Sequence, residues 1–217
     1  MDFRIFIQAR MSSRRFPGKM LAPFAGRPLI DWLLGRLAGE FGRERLVLAT
    51  SLDPTDAPLA AHAQAGGFTV FRGVLDDVLA RFQACARAHP ASWIVRICGD
   101  SPLLDPGLVT ALLGRRAEGL DLVTNVAHRS FPPGQSVEVM RSETLQAIDS
   151  AVLDPSAREH LTQVFYRTPG RFRVLNVEGA DPSWPNLSYV VDTLEDLRRL
   201  EPLAESGAFP VFRPVSV

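Results

Sequence analysis

Four cations stand within ten residues near the start of the chain, in the run Gln8-Ala9-Arg10-Met11-Ser12-Ser13-Arg14-Arg15-Phe16-Pro17-Gly18-Lys19, with no acid among them. Such a concentration demands an anionic partner. The small residues Ser12, Ser13 and Gly18 let backbone N–H groups approach that partner closely. Lys19 is the single lysine of the chain, against 23 arginines. A lone ammonium in a chain that otherwise chooses arginine marks a position needing a compact point charge rather than a planar fork. The chemistry expected of this loop is phosphate binding, for a triphosphate. It is not a P-loop, which needs Gly at Ser13 and Ser or Thr at Met20. Nor is it the dinucleotide pattern G-x-G-x-x-G.

Two acids are candidates for the other half of the chemistry. Asp100 follows the apolar run Trp93–Cys98 in Gly99-Asp100-Ser101-Pro102, where Gly99 permits a tight exit and Pro102 keeps a helix from starting. Asp192 ends Tyr189-Val190-Val191 and precedes a helical pattern. Two carboxylates at one sheet edge repel by roughly 4 kcal/mol at 4 Å and an effective dielectric near 20. A hard divalent cation cancels that repulsion, and Mg²⁺ typically takes one or two carboxylates plus substrate phosphates. Asp100 and Asp192 are therefore the metal-ligand candidates.

Other acids have structural roles. Asp105-Pro106 reads as an N-cap with proline at N1, and Thr193-Leu194-Glu195-Asp196 as a capping box. Asp76 or Asp77 caps the helix that follows. Glu138 alternates with Val137 and Val139 on a short strand and faces either ligand or solvent. Arg158-Glu159-His160 opens a helix, where Glu159 suits the dipole whatever its function. His62, His89 and His128 have no visible partner. No Ser/His/Asp or Cys/His arrangement stands out, so covalent catalysis is not suggested.

The elements that must position these residues alternate along the chain. Strands are expected at Phe3–Ala9, Arg45–Thr50, Thr69–Arg72, Trp93–Cys98 and Leu120–Asn125. Helical patterns lie between them: Leu29, Leu33 and Leu37; Leu59 to Ala65, closed by Gly66-Gly67; Val78, Leu79, Phe82 and Cys85; Leu108 to Leu113. This alternation predicts an α/β fold with parallel strands covered on both faces, and ligands in such sheets collect at the carboxyl ends of strands. After Asn125 the pattern loosens into a Pro/Gly loop at 128–135, a strand at Val137–Met140 and helices near Ser142–Val152 and Ser156–Tyr166. Strands near Arg173–Val177 and Ser188–Val191 and a helix from Thr193 to about Ser206 follow. The chain is expected to be one domain, 1–217, with residues 126–190 holding an acceptor-side or dimerisation insertion.

Composition narrows the class. At 217 residues and 46% hydrophobic, the chain can bury one sizeable core. Zero formal net charge and a pI near 6.9 argue against a nucleic-acid binder; the positive charge is local and suits a small anion. Cys85 and Cys98 lack metal or redox spacing and read as reduced core residues. No apolar run reaches the roughly 18 residues of a membrane span, and the chain opens on a strand rather than a signal peptide. A cytoplasmic location is expected.

With these residues in place, the chain resembles the cytidylyltransferase superfamily of the CMP-sialic acid and CMP-KDO synthetases, and most of all its spore-coat polysaccharide branch. The opening pattern Q-A-R-x-G-S-[ST]-R-L-P-G-K is matched by Gln8, Ala9, Arg10, Ser13, Arg15, Pro17, Gly18 and Lys19. Further blocks follow in order: Asp76-Asp77-Val78-Leu79-Ala80-Arg81-Phe82, Gly99-Asp100-Ser101-Pro102-Leu103, Phe131-Pro132-Pro133-Gly134 to Glu138-Val139, Arg158-Glu159-His160, and Val191-Asp192-Thr193-Leu194-Glu195-Asp196-Leu197. Each block alone is weak; six in order are specific. Ser12 and Arg14 depart from the family's glycine and small hydroxyl residue, and the stretch after Asp192 is short for the branch.

The resemblance implies a Rossmann-like three-layer nucleotidyltransferase fold with a mostly parallel sheet, acting as a homodimer. It implies CTP and an acidic or deoxyamino sugar as substrates, with Mg²⁺ as cofactor on Asp100 and Asp192. Gln8, Ala9, Arg10, Ser12, Ser13, Arg15, Lys19, Asp77 and Arg81 are the implied nucleotide-binding residues. Glu138, Arg158, Glu159 and His160 belong to the acceptor side, and Arg10, Lys19 and Asp100 to catalysis. Two other readings are a glycosyltransferase of related architecture, whose usual Asp-x-Asp motif is missing here, and a non-catalytic nucleotide-binding protein.

Overall fold

A computed structural model describes residues 2–149, 153–154, 158–168 and 170–215. The first strand, β1 (Phe3–Gln8), is apolar on both faces because helices cover both. Ile5 and Ile7 pack into one core cluster and Phe6 into the other. A small hairpin, β2 (Pro23–Phe24) and β3 (Arg27–Pro28), leads into α1 (Leu29–Phe41). There Leu29, Ile30, Leu33, Leu34 and Leu37 recur at helical spacing, and all are buried. Each such side chain contributes about 1.5–3 kcal/mol by leaving water.

The succession continues with β4 (Leu46–Ser51), α2 (Ala57–Ala65), β5 (Thr69–Gly73), α3 (Val78–Ala88), β6 (Trp93–Cys98), α4 (Pro106–Leu113) and β7 (Leu122–Thr124). After these come β8 (Glu138–Arg141), α5 (Ser142–Ala147), a short α6 (Gln163–Arg167), β9 (Val174–Asn176) and α7 (Leu194–Ser206). The central sheet has seven strands in the order β5-β4-β1-β6-β8-β7-β9. β8 runs antiparallel to β6 and β7, and the other pairings are parallel. Helices α1, α2, α4 and α7 contribute to the core on one face. Helices α3, α5 and α6 contribute to the core on the other. The three layers match the expectation. The chain winds outward from β1 to β4 and β5, then crosses back to β6 on the other side of β1. The adjacent carboxyl ends of β1 and β6 therefore form the crevice where the winding reverses.

Three expectations are corrected. Residues 188–191 form no strand. In that segment Tyr189 N–H donates to the Pro133 carbonyl (2.7 Å) and Val191 N–H to that of Asp100 (2.9 Å). The helix begun at Ser142 ends at Ala147, and its expected continuation through 150–152 lies outside the described residues. The helix expected over 156–166 is interrupted by a turn at 160–162 before α6, with 155–157 outside the described residues. The section 126–190 also supplies β8 and β9 to the central sheet, so it is woven into the core rather than appended. Among the described residues no helix is long and apolar enough to cross a membrane.

Candidate active site

The loop after β1 and the loop after β6 touch. Gly99 N–H donates to the Gln8 carbonyl (2.8 Å). A Cβ at Gly99 would lie 2.8 Å from that of Ala9, so only glycine lets the two strand exits meet. Lys19 follows Gly18 in a one-turn 3-10 helix, which turns its side chain back under the loop. The ammonium donates to Asp100 Oδ2 (3.1 Å), Asp192 Oδ1 (3.0 Å) and the Val191 carbonyl (2.8 Å). Three donors meet three acceptors, and the Lys19 side chain is only 6% exposed. The lone lysine thus occupies the compact-ammonium position that its rarity suggested. It does so against the two acids, not on the open side of the loop.

Asp100 and Asp192 are brought together as expected. Arg15 pairs with the other oxygen of Asp192 (2.6 Å). Burial opposes ionisation of Asp192, but the hydrogen bonds from Arg15 and Lys19 outweigh it and hold its carboxyl below the usual range. The same contact raises the Arg15 guanidinium. The Asp192 backbone is fixed by Asp196, which accepts from Asp192 N–H (3.1 Å) and Thr193 N–H (3.0 Å) while completing the capping box of α7.

A second rim faces the loop. Arg10 Nη2 lies 3.4 Å from Glu159 Oε1, and Arg158 Nη1 lies 4.0 Å from Asp77 Oδ2. Asp77 is the N-cap of α3, accepting from Ala80 N–H (2.8 Å), which resolves the choice between Asp76 and Asp77. Ser12 and His160 are exposed, and Ser13 Oγ accepts from Phe16 N–H (3.4 Å). The predicted N-cap Asp105 is also borne out, accepting from Gly107 N–H (2.9 Å).

Two of the expected ligand contacts are buried and paired within the protein. Glu138 faces neither solvent nor an open pocket. It is 3% exposed, pairs with Arg96 and accepts from Tyr166 Oη (2.8 Å). Arg96 also donates to Gln8 Oε1 (2.9 Å). Burial would lower the Arg96 guanidinium, yet neighbouring Cys98 and Glu138 raise it; burial pushes the Cys98 thiol up to about 11. Arg81 is 1% exposed and donates to the carbonyls of Val74 (2.7 Å) and Leu75 (3.2 Å), so it shapes the loop after β5 from beneath.

Sequence reasoning missed Arg96, Tyr166 and Asp56. The signal for Arg96 was present: a charge inside the apolar run Trp93-Ile94-Val95-Arg96-Ile97-Cys98 must have a buried partner, and that partner is Glu138. Asp56, at the exit of β4, is fully buried and accepts from Met11 N–H (2.6 Å). An acid three residues after Asp53 reads from sequence as a turn. A broad concavity of about 630 Å³, beside Asp2, Ser92 and Arg141, opens at the amino ends of β1 and β6, away from all of these groups.

Two carboxylate oxygens, from Asp100 and Asp192, converge on one cation. Both side chains are partly exposed, at 27% and 34%. This donor set fits a hard divalent ion completed by substrate oxygens. Among the described residues no group of three or more metal-ligating side chains occurs.

The cytidylyltransferase family model matches residues 5–207. The chain is 33% identical over 212 residues, 95% of its length and 88% of the relative's, to the spore coat polysaccharide biosynthesis protein SpsF of Bacillus subtilis. It is 26% identical over 242 residues, covering 94% and 98%, to a 3-deoxy-manno-octulosonate cytidylyltransferase of Anaeromyxobacter dehalogenans. Among solved structures, a cytidylyltransferase from Leptospira borgpetersenii superposes with a TM-score of 0.89 at 27% identity, over 97% of this chain and 89% of that one. A CMP:2-keto-3-deoxy-manno-octonic acid synthetase complexed with CTP shares the fold, with a TM-score of 0.71 at 20% identity over 95% and 100%.

Proposed function

The chain belongs to the cytidylyltransferase family, and on that premise we propose that it transfers CMP from CTP to an acidic or deoxyamino sugar for surface polysaccharide or glycan synthesis. The observation that carries this reading is the meeting of Arg15, Lys19, Asp100 and Asp192 where the β1 and β6 exits touch. A relative named for spore coat polysaccharide biosynthesis and others named 3-deoxy-manno-octulosonate cytidylyltransferase support the substrate class.

In the proposed reaction the acceptor hydroxyl oxygen attacks the α-phosphorus in line. The new O–P bond forms as the bond to the bridging oxygen breaks, pyrophosphate departs and the hydroxyl proton passes to solvent. Catalysis is then mainly positioning and electrostatic stabilisation. Arg10 and Arg15, both on the open side of the loop, hold the phosphates and the leaving pyrophosphate. Their present partners, Glu159 and Asp192, occupy those forks until a phosphate competes for them. Lys19 holds the two carboxylates at fixed separation. Asp100 and Asp192 would hold Mg²⁺, which when bound supplies Lewis-acid polarisation at the α-phosphate. Arg158, Glu159 and His160 line the acceptor side. Assembly as a homodimer through residues 126–190 is part of the proposal, and a monomeric mass by light scattering would remove that part.

The test is pyrophosphate release from CTP, GTP, UTP, ATP and dTTP across a panel of acidic sugars, with and without Mg²⁺. Release with CTP and Mg²⁺ alone is expected. Activity that survives chelation would remove the metal, and release of a nucleoside diphosphate from a nucleotide sugar would instead make the chain a glycosyltransferase.

A further inference from the structure

Asp56 has no part in the chemistry above, yet it is one of the most enclosed charges in the molecule. It lies at the end of the turn Asp53–Asp56 after β4 and is fully buried. Its Oδ1 accepts from Met11 N–H (2.6 Å). Its Oδ2 accepts from Ser51 N–H (3.2 Å) and from the Ser51 hydroxyl. Arg81 is 1% exposed, and burial lowers its guanidinium to about 10, a shift that the Asp56 charge opposes only in part. Arg81 in turn holds the Val74 and Leu75 carbonyls.

We propose that Asp56 is a buried positioning residue that sets the arginine-bearing loop for the nucleotide, and that Arg81 braces the neighbouring loop after β5, without either residue touching substrate. This rests on the reading that the loop binds CTP. Met11 is pinned from both sides, its N–H by Asp56 and its carbonyl by Gly18 N–H (2.8 Å). Residues 12–15 hang from that anchor, with Ser12, Arg14 and Arg15 exposed. Removing the anchor frees Arg15 and Arg10 to wander while leaving their chemistry intact. Arg81 braces residues 74 and 75, in the stretch that leads into Asp77, while Asp56 ties the exit of β4 to that of β1.

The donor pattern explains why the residue is an acid. Every group that meets Asp56 is a donor, and a carboxylate offers acceptor oxygens on both sides. Asparagine of the same shape offers one oxygen, and its NH₂ would face either Met11 N–H or the Ser51 donors. Asp56→Asn must therefore break one side of the bracket. A buried charge is costly compared with apolar packing, so its place under this loop is better explained by geometry than by stability.

The experiment compares the wild type with Asp56→Asn, Arg81→Lys and, as a control, Asp121→Asn. Asp121 accepts from Thr144 Oγ1 and Arg173 N–H at the start of β7, away from the loop. The readouts are CTP affinity by calorimetry with Mg²⁺, KM for each substrate, and amide exchange of residues 9–18. Asp56→Asn should weaken CTP about tenfold or more, raise KM for CTP but not for the acceptor, and speed exchange of 9–18. Asp121→Asn should lower the melting temperature with CTP affinity unchanged. Arg81→Lys, which keeps the charge but loses the fork, should weaken CTP several-fold and serves if Asp56→Asn does not fold. CTP affinity within twofold of wild type in both variants, with exchange of 9–18 unchanged, overturns the proposal. A wild type that binds no triphosphate instead sinks the functional reading, and the exchange rates alone then decide the positioning role.

Discussion

Lys19 Nζ lies 3.0 Å from Asp192 Oδ1 across 173 residues of chain, and the same nitrogen reaches Asp100 at 3.1 Å. One ammonium therefore bridges two carboxylates that would otherwise repel. It also joins the loop after β1, the exit of β6 and the entry to α7. The three acceptors surround a point, which suits the geometry of an ammonium and not that of a guanidinium.

Lys19→Arg should consequently fail to rescue the site although it keeps the charge. The planar fork cannot serve three acceptors at 2.8–3.1 Å in this enclosure. We expect kcat/KM to fall at least about 10²-fold, roughly 2.7 kcal/mol in barrier, measured by pyrophosphate release. Near wild-type turnover would show that only charge matters here.

Asp192 carries a pH signature. Its folded pKa is lowered from 3.8, so its ion pairs contribute stability that is complete above that value and disappears as pH falls through the lowered folded pKa. The melting-temperature difference between wild type and Asp192→Asn should be constant near neutrality and close in acid below 3.8. A difference that grows with acidification would contradict the assignment. Thermal unfolding over a pH series checks it.

The Arg96–Glu138 pair is buried, so removing one member should cost more than removing both. Arg96→Met leaves Glu138, 3% exposed, with its charge uncompensated, and should cost about 3–5 kcal/mol. The double variant Arg96→Met/Glu138→Leu should lose less than that single change. Urea denaturation of the two variants gives the comparison, and a double variant that loses as much as or more than Arg96→Met would argue that the pair is not coupled.

Gly134 has φ +91°, and a Cβ there would meet the Tyr189 carbonyl carbon at 2.4 Å. Gly134→Ala should destabilise by about 1–3 kcal/mol through overpacking. It should also lower turnover, because the backbone pushed aside is the one that brings the Val191 carbonyl and Asp192 to Lys19. Unchanged turnover in a folded Gly134→Ala protein would separate the Pro133–Tyr189 contact from the site.

The failed elements show where reading the chain stops. Trp93–Cys98 was legible because it is apolar at every position but Arg96, and the structure gives the same bounds. Ser188–Val191 had similar composition and forms no strand, because no neighbouring strand offers a ladder and its N–H groups are spent on Pro133 and Asp100. Glu138 looked like a ligand on a half-open strand, but its true partners, Arg96 and Tyr166, come from elements far away in the chain.

The amino-acid sequence by itself determined the alternating α/β order, the placement of a cationic loop and Asp100 at strand ends, and the caps at Asp105 and Thr193. All of these follow from local periodicity, charge and turn chemistry, which act over a few residues. Tertiary structure alone decided that Lys19 faces two acids and not the open loop, that Arg81 and Glu138 are buried supports, and that Asp56 anchors Met11. Those outcomes depend on which strand exits become neighbours when β6 crosses back beside β1, and on how each buried charge finds a partner once water is gone.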